Sequence, residues 1–225
     1  MQEVVAAKSV PVPSPTPKLT FYRAIWLIII FSVFGVYFED IVYFLQLGYF
    51  HWWRGTIYGP FMPIYGIGSV LFIWIYLTFK IKNTFLLFIV FAVVGSAYEF
   101  LTHCLAQQVY GLVSWDCSNM LLNIGGRTTV WLAGVWGLGG IVIVKYGYPY
   151  FSRLIDKIPH RQGVLAAWLL VIFILVSLWI TIVATQRYAD RHKGIAATTA
   201  FEAYIDQKYP DTFIDDIKPC LTIKY

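Results

Sequence analysis

Five apolar stretches, each long enough to cross a lipid bilayer, restrict the folds open to this sequence. A spanning helix needs roughly 20 mostly apolar residues. Span 1 runs from about Ala24 to Leu47, span 2 from Gly59 to Phe79 and span 3 from Thr84 to Gln108. Span 4 runs from Thr128 to Val144, and span 5 from Gly163 to Thr185, with no charge between Arg161 and Arg187. Composition agrees: 59% of residues are hydrophobic and 13% are charged, and mean hydropathy is +0.66. A soluble domain carries about 25% charged residues. The balance excludes a soluble enzyme, a disordered chain and a nucleic-acid-binding domain. In hydrocarbon a chain must satisfy its own backbone polar groups, which leaves helices or closed barrels. Runs of this length predict an all-α polytopic bundle of about five transmembrane helices, with the lipid bilayer as its first partner.

The basic residues set the expected orientation. Lys8, Lys18, Arg23, Lys80, Lys82, Lys145, Arg153, Lys157 and Arg161 fall on the N-terminal side, and only Arg54 and Arg127 on the opposite loops. The N-terminus is therefore expected in the cytoplasm of a cell-membrane protein, and the tail after span 5 outside. Five divisions follow: a Pro-rich, poorly ordered arm (1–20), a four-span core (21–146), an interfacial cytoplasmic loop (147–162), a fifth span (163–185) and a polar tail (186–225). Pro11, Pro13, Pro15 and Pro17 favour extended chain in the arm. The arm lacks the basic start of a cleavable signal peptide, so span 1 is expected to be retained. Residues 149–158 read as a short interfacial helix, and 198–209 as a short amphipathic helix in the tail. Cys104, Cys117 and Cys220 form no framework; a Cys117–Cys220 bridge would need both residues in an oxidising compartment.

An offset of 60 residues aligns span 1 with span 3. Phe31, Val33, Gly35, Glu39 and Leu45 meet Phe91, Val93, Gly95, Glu99 and Leu105. The same offset continues through Ile64, Gly66 and Val70 onto Ile124, Gly126 and Val130. This reads as a duplicated helical hairpin, spans 1–2 and 3–4, with the copies in the same orientation.

A carboxylate within a span costs roughly 2.5–3.5 kcal/mol on insertion scales, so it faces protein or water. Glu39 and Glu99 each lie about 22 Å along their helices at 1.5 Å per residue, toward the outer side. Arg54 and Arg127 come from the outer loops, and pairing of the two acids with the two arginines is expected. Around them stand Tyr58, Tyr65, Trp115, Asp116, Ser118 and Asn123, in Gly- and Pro-containing loops suited to line a polar cavity. Trp52, Trp53 and Trp115 suit an interfacial belt. A metal site on Glu99, His103, His51 and Asp116 has weak support, as does a Ser118 or Cys117 nucleophile with His51 or His103. No cofactor is expected. No GxxxxGK[ST] is present, so the chain has no P-loop for ATP.

These residues carry a resemblance. Gly35-x-x-x-Glu39, with Arg54-Gly55-x-x-Tyr58-Gly59-Pro60-x-x-Pro63-Ile64-Tyr65-Gly66-x-Gly68, resembles the first motif of the CmpB-like family, named putative ABC-transporter type IV. Glu99, Trp115-Asp116-x-Ser118, Asn123-x-x-Gly126-Arg127 and Trp136-Gly137 resemble its second. The resemblance covers about residues 25–146 and leaves span 5 and the tail outside. It departs at Cys117, where an aromatic is expected, and at Gly125. The family name implies a permease, which would need a separate ATPase subunit or another membrane partner. Docking would fall to the loop Lys145–Gln162. Three functions stay open: a permease-like protein with an outer polar cavity for a charged solute or head group, an intramembrane enzyme acting on lipid head groups, and a structural or regulatory membrane subunit.

Overall fold

The computed structural model describes residues 17–48, 54–110 and 115–218. The chain is a helical membrane bundle, and the helices follow the apolar runs. Helix α1 (Phe21–Leu47) starts at Thr20, whose hydroxyl accepts the Arg23 N–H, and ends at Gly48 with φ of 76°. Helix α2 (Pro63–Phe79) packs antiparallel against it, and α3 (Thr84–Tyr110) pairs in the same way with α4 (Val130–Val142). The two hairpins meet through aromatic rings. Phe72 lies 4.6 Å from Phe91, centroid to centroid, and Trp136 packs on Tyr65, Phe72 and Tyr98. Leu27, Phe31, Phe72, Ile73, Leu87 and Phe91 form the buried core at this seam.

Helix α2 is shorter than the expected second span, and residues 55–62 are not helical. Gly59 takes φ of 83°, and Pro63 opens the helix where its missing N–H costs nothing. This segment is held by α6 (His160–His192). Thr181 Oγ1 accepts the Ile57 N–H at 2.9 Å. Ser177 Oγ accepts the Tyr58 N–H at 3.0 Å and donates to the Tyr58 carbonyl at 2.8 Å. Irregular backbone at membrane depth needs such partners.

The fourth span does not end at Val144. Helix α4 passes through a π-helical turn (Ile143–Gly147) into α5 (Tyr148–Ile155), giving one apolar helical run from Val130 to Ile155. The stretch read as a separate interfacial helix is thus continuous with α4. Pro149 explains the π-turn. It has no N–H to give, and the Tyr148 N–H reaches back five residues to Ile143 instead. Helix α6 has 33 residues, about 50 Å at 1.5 Å per residue. That exceeds the roughly 30 Å hydrocarbon layer, so its last turns project beyond it.

Those last turns carry a small cap. Helix α7 (Ala200–Lys208) begins with a reciprocal Thr199–Glu202 capping box. Helix α8 (Asp211–Ile217) follows. Ile205, Tyr209, Ile214 and Ile217 bury themselves with Ile57, Ala184 and Tyr188. Arg187 pairs with Asp206 at 2.7 Å and Asp190 at 3.2 Å, and Arg191 pairs with Asp206 and, at 2.6 Å, with Asp211. At the other end of the bundle Arg23 grips Asp156 bidentately at 2.7 and 2.9 Å.

Candidate functional site

The site is built at the end of the bundle where α1 finishes, α2 begins and the cap docks. Glu39 sits on the last third of α1, half-buried, and Tyr65 Oη donates to its Oε1 at 2.8 Å. Tyr65 can do so because Gly35, one turn before Glu39, leaves room for the Tyr65 ring; a β-carbon at 35 would collide with it. The second hairpin repeats this arrangement. Gly95 leaves room for the Trp136 ring, one turn before Glu99. Thr128 Oγ1 donates a hydrogen bond to Glu99 at 2.6 Å. Tyr65 and Trp136 then stack on each other, with centroids 5.7 Å apart and planes 23° apart. The residue after each of these rings is also a glycine: Gly66 lies against the Ile28 carbonyl and Gly137 against the Phe88 carbonyl.

The expected pairing of the glutamates with the arginines is not made. Arg54 is exposed, and its backbone N–H reaches the Ile217 carbonyl at 3.4 Å. Arg127 lies over the Phe100 ring, 5.3 Å from its centroid, and reaches Gln107 Oε1 and the Gly125 carbonyl at 3.4 Å. Neutral hydroxyls hold the carboxylates instead, Tyr65 on α2 and Thr128 on the loop before α4, and a neutral hydroxyl costs less to bury than a guanidinium.

The remaining motif residues mostly shape the loops that carry them. Asp116 Oδ1 accepts from the Ser118 N–H at 3.0 Å and from its hydroxyl at 2.5 Å. Asn123 donates to the Ser118 and Met120 carbonyls and accepts the Gly126 N–H at 2.9 Å. Trp115 Nε1 donates to the Arg127 carbonyl at 2.9 Å, and its own carbonyl meets His103 Nε2 at 3.1 Å. A two-residue β-ribbon (β1, Asn123–Ile124; β2, Thr128–Thr129) closes the loop and sets Thr128 beneath Glu99. Tyr58 shares a 2.8 Å hydrogen bond with Tyr209 of the cap, and desolvation pushes the Tyr209 hydroxyl up to about 12.

No group of three His, Cys, Asp or Glu able to hold a metal exists among the described residues. Cys117 is a buried free thiol, pushed above its ordinary value chiefly by desolvation. That is the wrong direction for a nucleophile. His51, Trp52, Trp53 and Cys220 lie outside the described residues. The outer cavity expected from sequence is not evident among the described residues. A depression at the opposite end is lined by Pro17, Lys18, Leu19, Trp74, Leu77 and Thr78.

Sequence reasoning missed Lys218. Just after α8, it reaches back to the Gly55 carbonyl at 3.4 Å and acts electrostatically on Glu39 without ion-pair contact. Desolvation lowers its ammonium to about 8, and Glu39 opposes that shift. Nothing in the local sequence marks this lysine; only the folding-back of the cap does. Trp136 was missed as the counterpart of Tyr65, although Tyr65-Gly-Ile-Gly and Trp136-Gly-Leu-Gly share a pattern.

The family described as Putative ABC-transporter type IV matches residues 26–182. The chain belongs to this family. The match runs through the site and most of α6, so the fifth span lies inside the family region and not beyond it as the motifs alone had implied. Comparison with curated proteins and with solved structures gives no match. The family name carries a transporter-type membrane protein with a hint of partner subunits.

Proposed function

We propose that this chain is a permease-type membrane subunit that binds a cationic solute or head group at Glu39, on the outer side of the cell membrane, with its N-terminus in the cytoplasm. The observation that carries the reading is the state of the Glu39 carboxylate. One oxygen takes the Tyr65 hydroxyl, and the other takes no hydrogen bond among the described residues. Asp40 and Glu99 add negative charge within electrostatic range. Acids kept at membrane depth usually serve binding or ion passage. Tyr65 fixes the carboxylate, while Arg54, Tyr58, Trp115, Asp116, Ser118, Asn123 and Arg127 are read as the loops framing access to it. The absence of a P-loop leaves energy coupling to a separate ATPase subunit.

The matching arrangements at Gly35–Glu39–Tyr65 and Gly95–Glu99–Trp136 support reading the hairpins as copies of one unit. The first helices stand 60 positions apart. The second helices stand 71 apart, Tyr65 against Trp136, because the second loop is longer. The 60-residue offset does not carry into them: Ile124 and Gly126 fall in the β-ribbon loop, not in α4. A lipid-modifying enzyme has less support, since the Ser118 hydroxyl is spent on Asp116.

The test is titration of the purified full-length protein in detergent with methylammonium, tetramethylammonium and sodium chlorides at constant ionic strength. Stabilisation by at least one cation, lost in Glu39→Gln and kept in Ser118→Ala, is expected. A response unchanged by Glu39→Gln, or none to any cation, defeats the reading.

A further inference from the structure

We propose that the loop between α3 and α4 is set into the bilayer, with Leu121, Leu122 and Ile124 among the acyl chains of the leaflet nearest Glu99. The depth follows from two contacts that hold α3 and α4 in register. Lys145 Nζ donates to Thr84 Oγ1 at 2.6 Å at one end, and Thr128 Oγ1 donates to Glu99 at 2.6 Å at the other. Glu99 lies 15 residues beyond Thr84, and Lys145 lies 15 beyond Val130, so each helix covers about 22 Å between these contacts. An ammonium belongs at the head groups, which puts Thr84 at one face of the hydrocarbon. That layer is roughly 30 Å thick. The Thr128 end therefore stops short of the far face, inside the apolar layer.

The loop occupies that level. Arg127 lies over the Phe100 ring and His103 meets the Trp115 carbonyl, so the loop rests along α3 just past Glu99. Asn123 pairs with Thr129 in the ribbon, which carries Leu122 on past the pair to stand beside the first turn of α4. Val130 and Trp131 in that turn are themselves 61% and 72% exposed. Leu121, Leu122 and Ile124 are exposed by 86%, 65% and 59%. No charged residue occurs from Cys117 to Gly126. In water such a patch is a liability, whereas among acyl chains it meets its own kind. Leu122 is kept at φ of 55°, a left-handed conformation that a bulky residue seldom adopts. Asn123 holds the turn by donating to the Ser118 and Met120 carbonyls and accepting the Gly126 N–H. The same bonds satisfy the loop's polar groups from within, as irregular chain at membrane depth requires.

The test places a nitroxide at Leu121→Cys in the full-length protein, with Cys104, Cys117 and Cys220 replaced by alanine, in phosphatidylcholine nanodiscs. Electron paramagnetic resonance compares its collisions with oxygen, which partitions into lipid, and with a water-soluble nickel chelate. Leu175, exposed midway along α6, and Tyr204, exposed on the cap, serve as the lipid and water references. The oxygen-to-nickel ratio at 121 should approach that at 175 and exceed that at 204. A ratio equal to that at 204 puts the loop in water and overturns the proposal. Low collision rates with both reagents reveal protein cover and overturn it as well. Should the cysteine-free protein not fold, p-benzoylphenylalanine at position 121 of the otherwise unaltered chain decides. Illumination should then add the mass of one phosphatidylcholine; no adduct, or one to protein, overturns the proposal.

Discussion

At the residue scale, two glycines decide where the glutamates find their partners. Gly35 and Gly95 each lie one turn before an acid, and each admits an aromatic ring that bonds or approaches that acid. Gly134, on the same helix as Trp136, has nothing within 4 Å of where a β-carbon would stand. Gly95→Ala should therefore destabilise the bundle by about 1–3 kcal/mol through overpacking. Gly134→Ala should be neutral or stabilising by up to about 1 kcal/mol. Thermal unfolding of the two variants in detergent checks this, and equal midpoints would contradict the packing. The sequence displayed Glu39 and Glu99 plainly because charge is rare there. It could not display their partners, since a buried carboxylate chooses among donors by reach and desolvation, and nearby arginines are only the obvious choice on paper.

At the element scale, the apolar runs located α1, α3 and α6 well because nothing interrupts them. They misplaced the start of the second span and the end of the fourth. The run from Gly59 looked helical, but Gly59 and Pro60 belong to a loop whose backbone polar groups bond to Ser177 and Thr181, more than 100 positions away. Lys145 and Pro149 looked like an ending, but the π-turn absorbs the proline and the helix runs on. Ser177 and Thr181 lie one turn apart, and each serves one N–H. Their joint replacement by alanine leaves two buried donors unsatisfied, at about 1–3 kcal/mol each. Hydrogen exchange at the Ile57 and Tyr58 amides should accelerate accordingly, with α3 unaffected; unchanged exchange would refute the anchoring role.

At the scale of the whole molecule, a membrane bundle and a small polar cap share α6. The tail's opposite charges looked inert in sequence, yet folding concentrates them into the Arg187, Arg191, Asp206 and Asp211 network. Arg187 holds the Asp206 carboxyl below its ordinary value of 3.8. A carboxyl lowered on folding contributes stability above its unfolded value, and that contribution disappears as pH falls through the lower folded value. The cap should stay docked at neutral pH and loosen below about pH 4. A spin label at Tyr204, which is exposed, should then gain mobility while a label at Leu165 does not. Equal mobility at pH 7 and pH 3 would show that the apolar contacts alone hold the cap.

The hydroxyls that satisfy Ile57 and Tyr58 lie 124 and 119 positions downstream. At about 5–20 residues per second, a ribosome needs roughly 6–25 s to deliver them. Through that interval the nascent first hairpin carries backbone groups that the bilayer interior will not accept bare. The segment must wait in water, at the interface or beside an insertion factor until α6 arrives. The order of synthesis thus keeps the first hairpin unfinished until the final span enters.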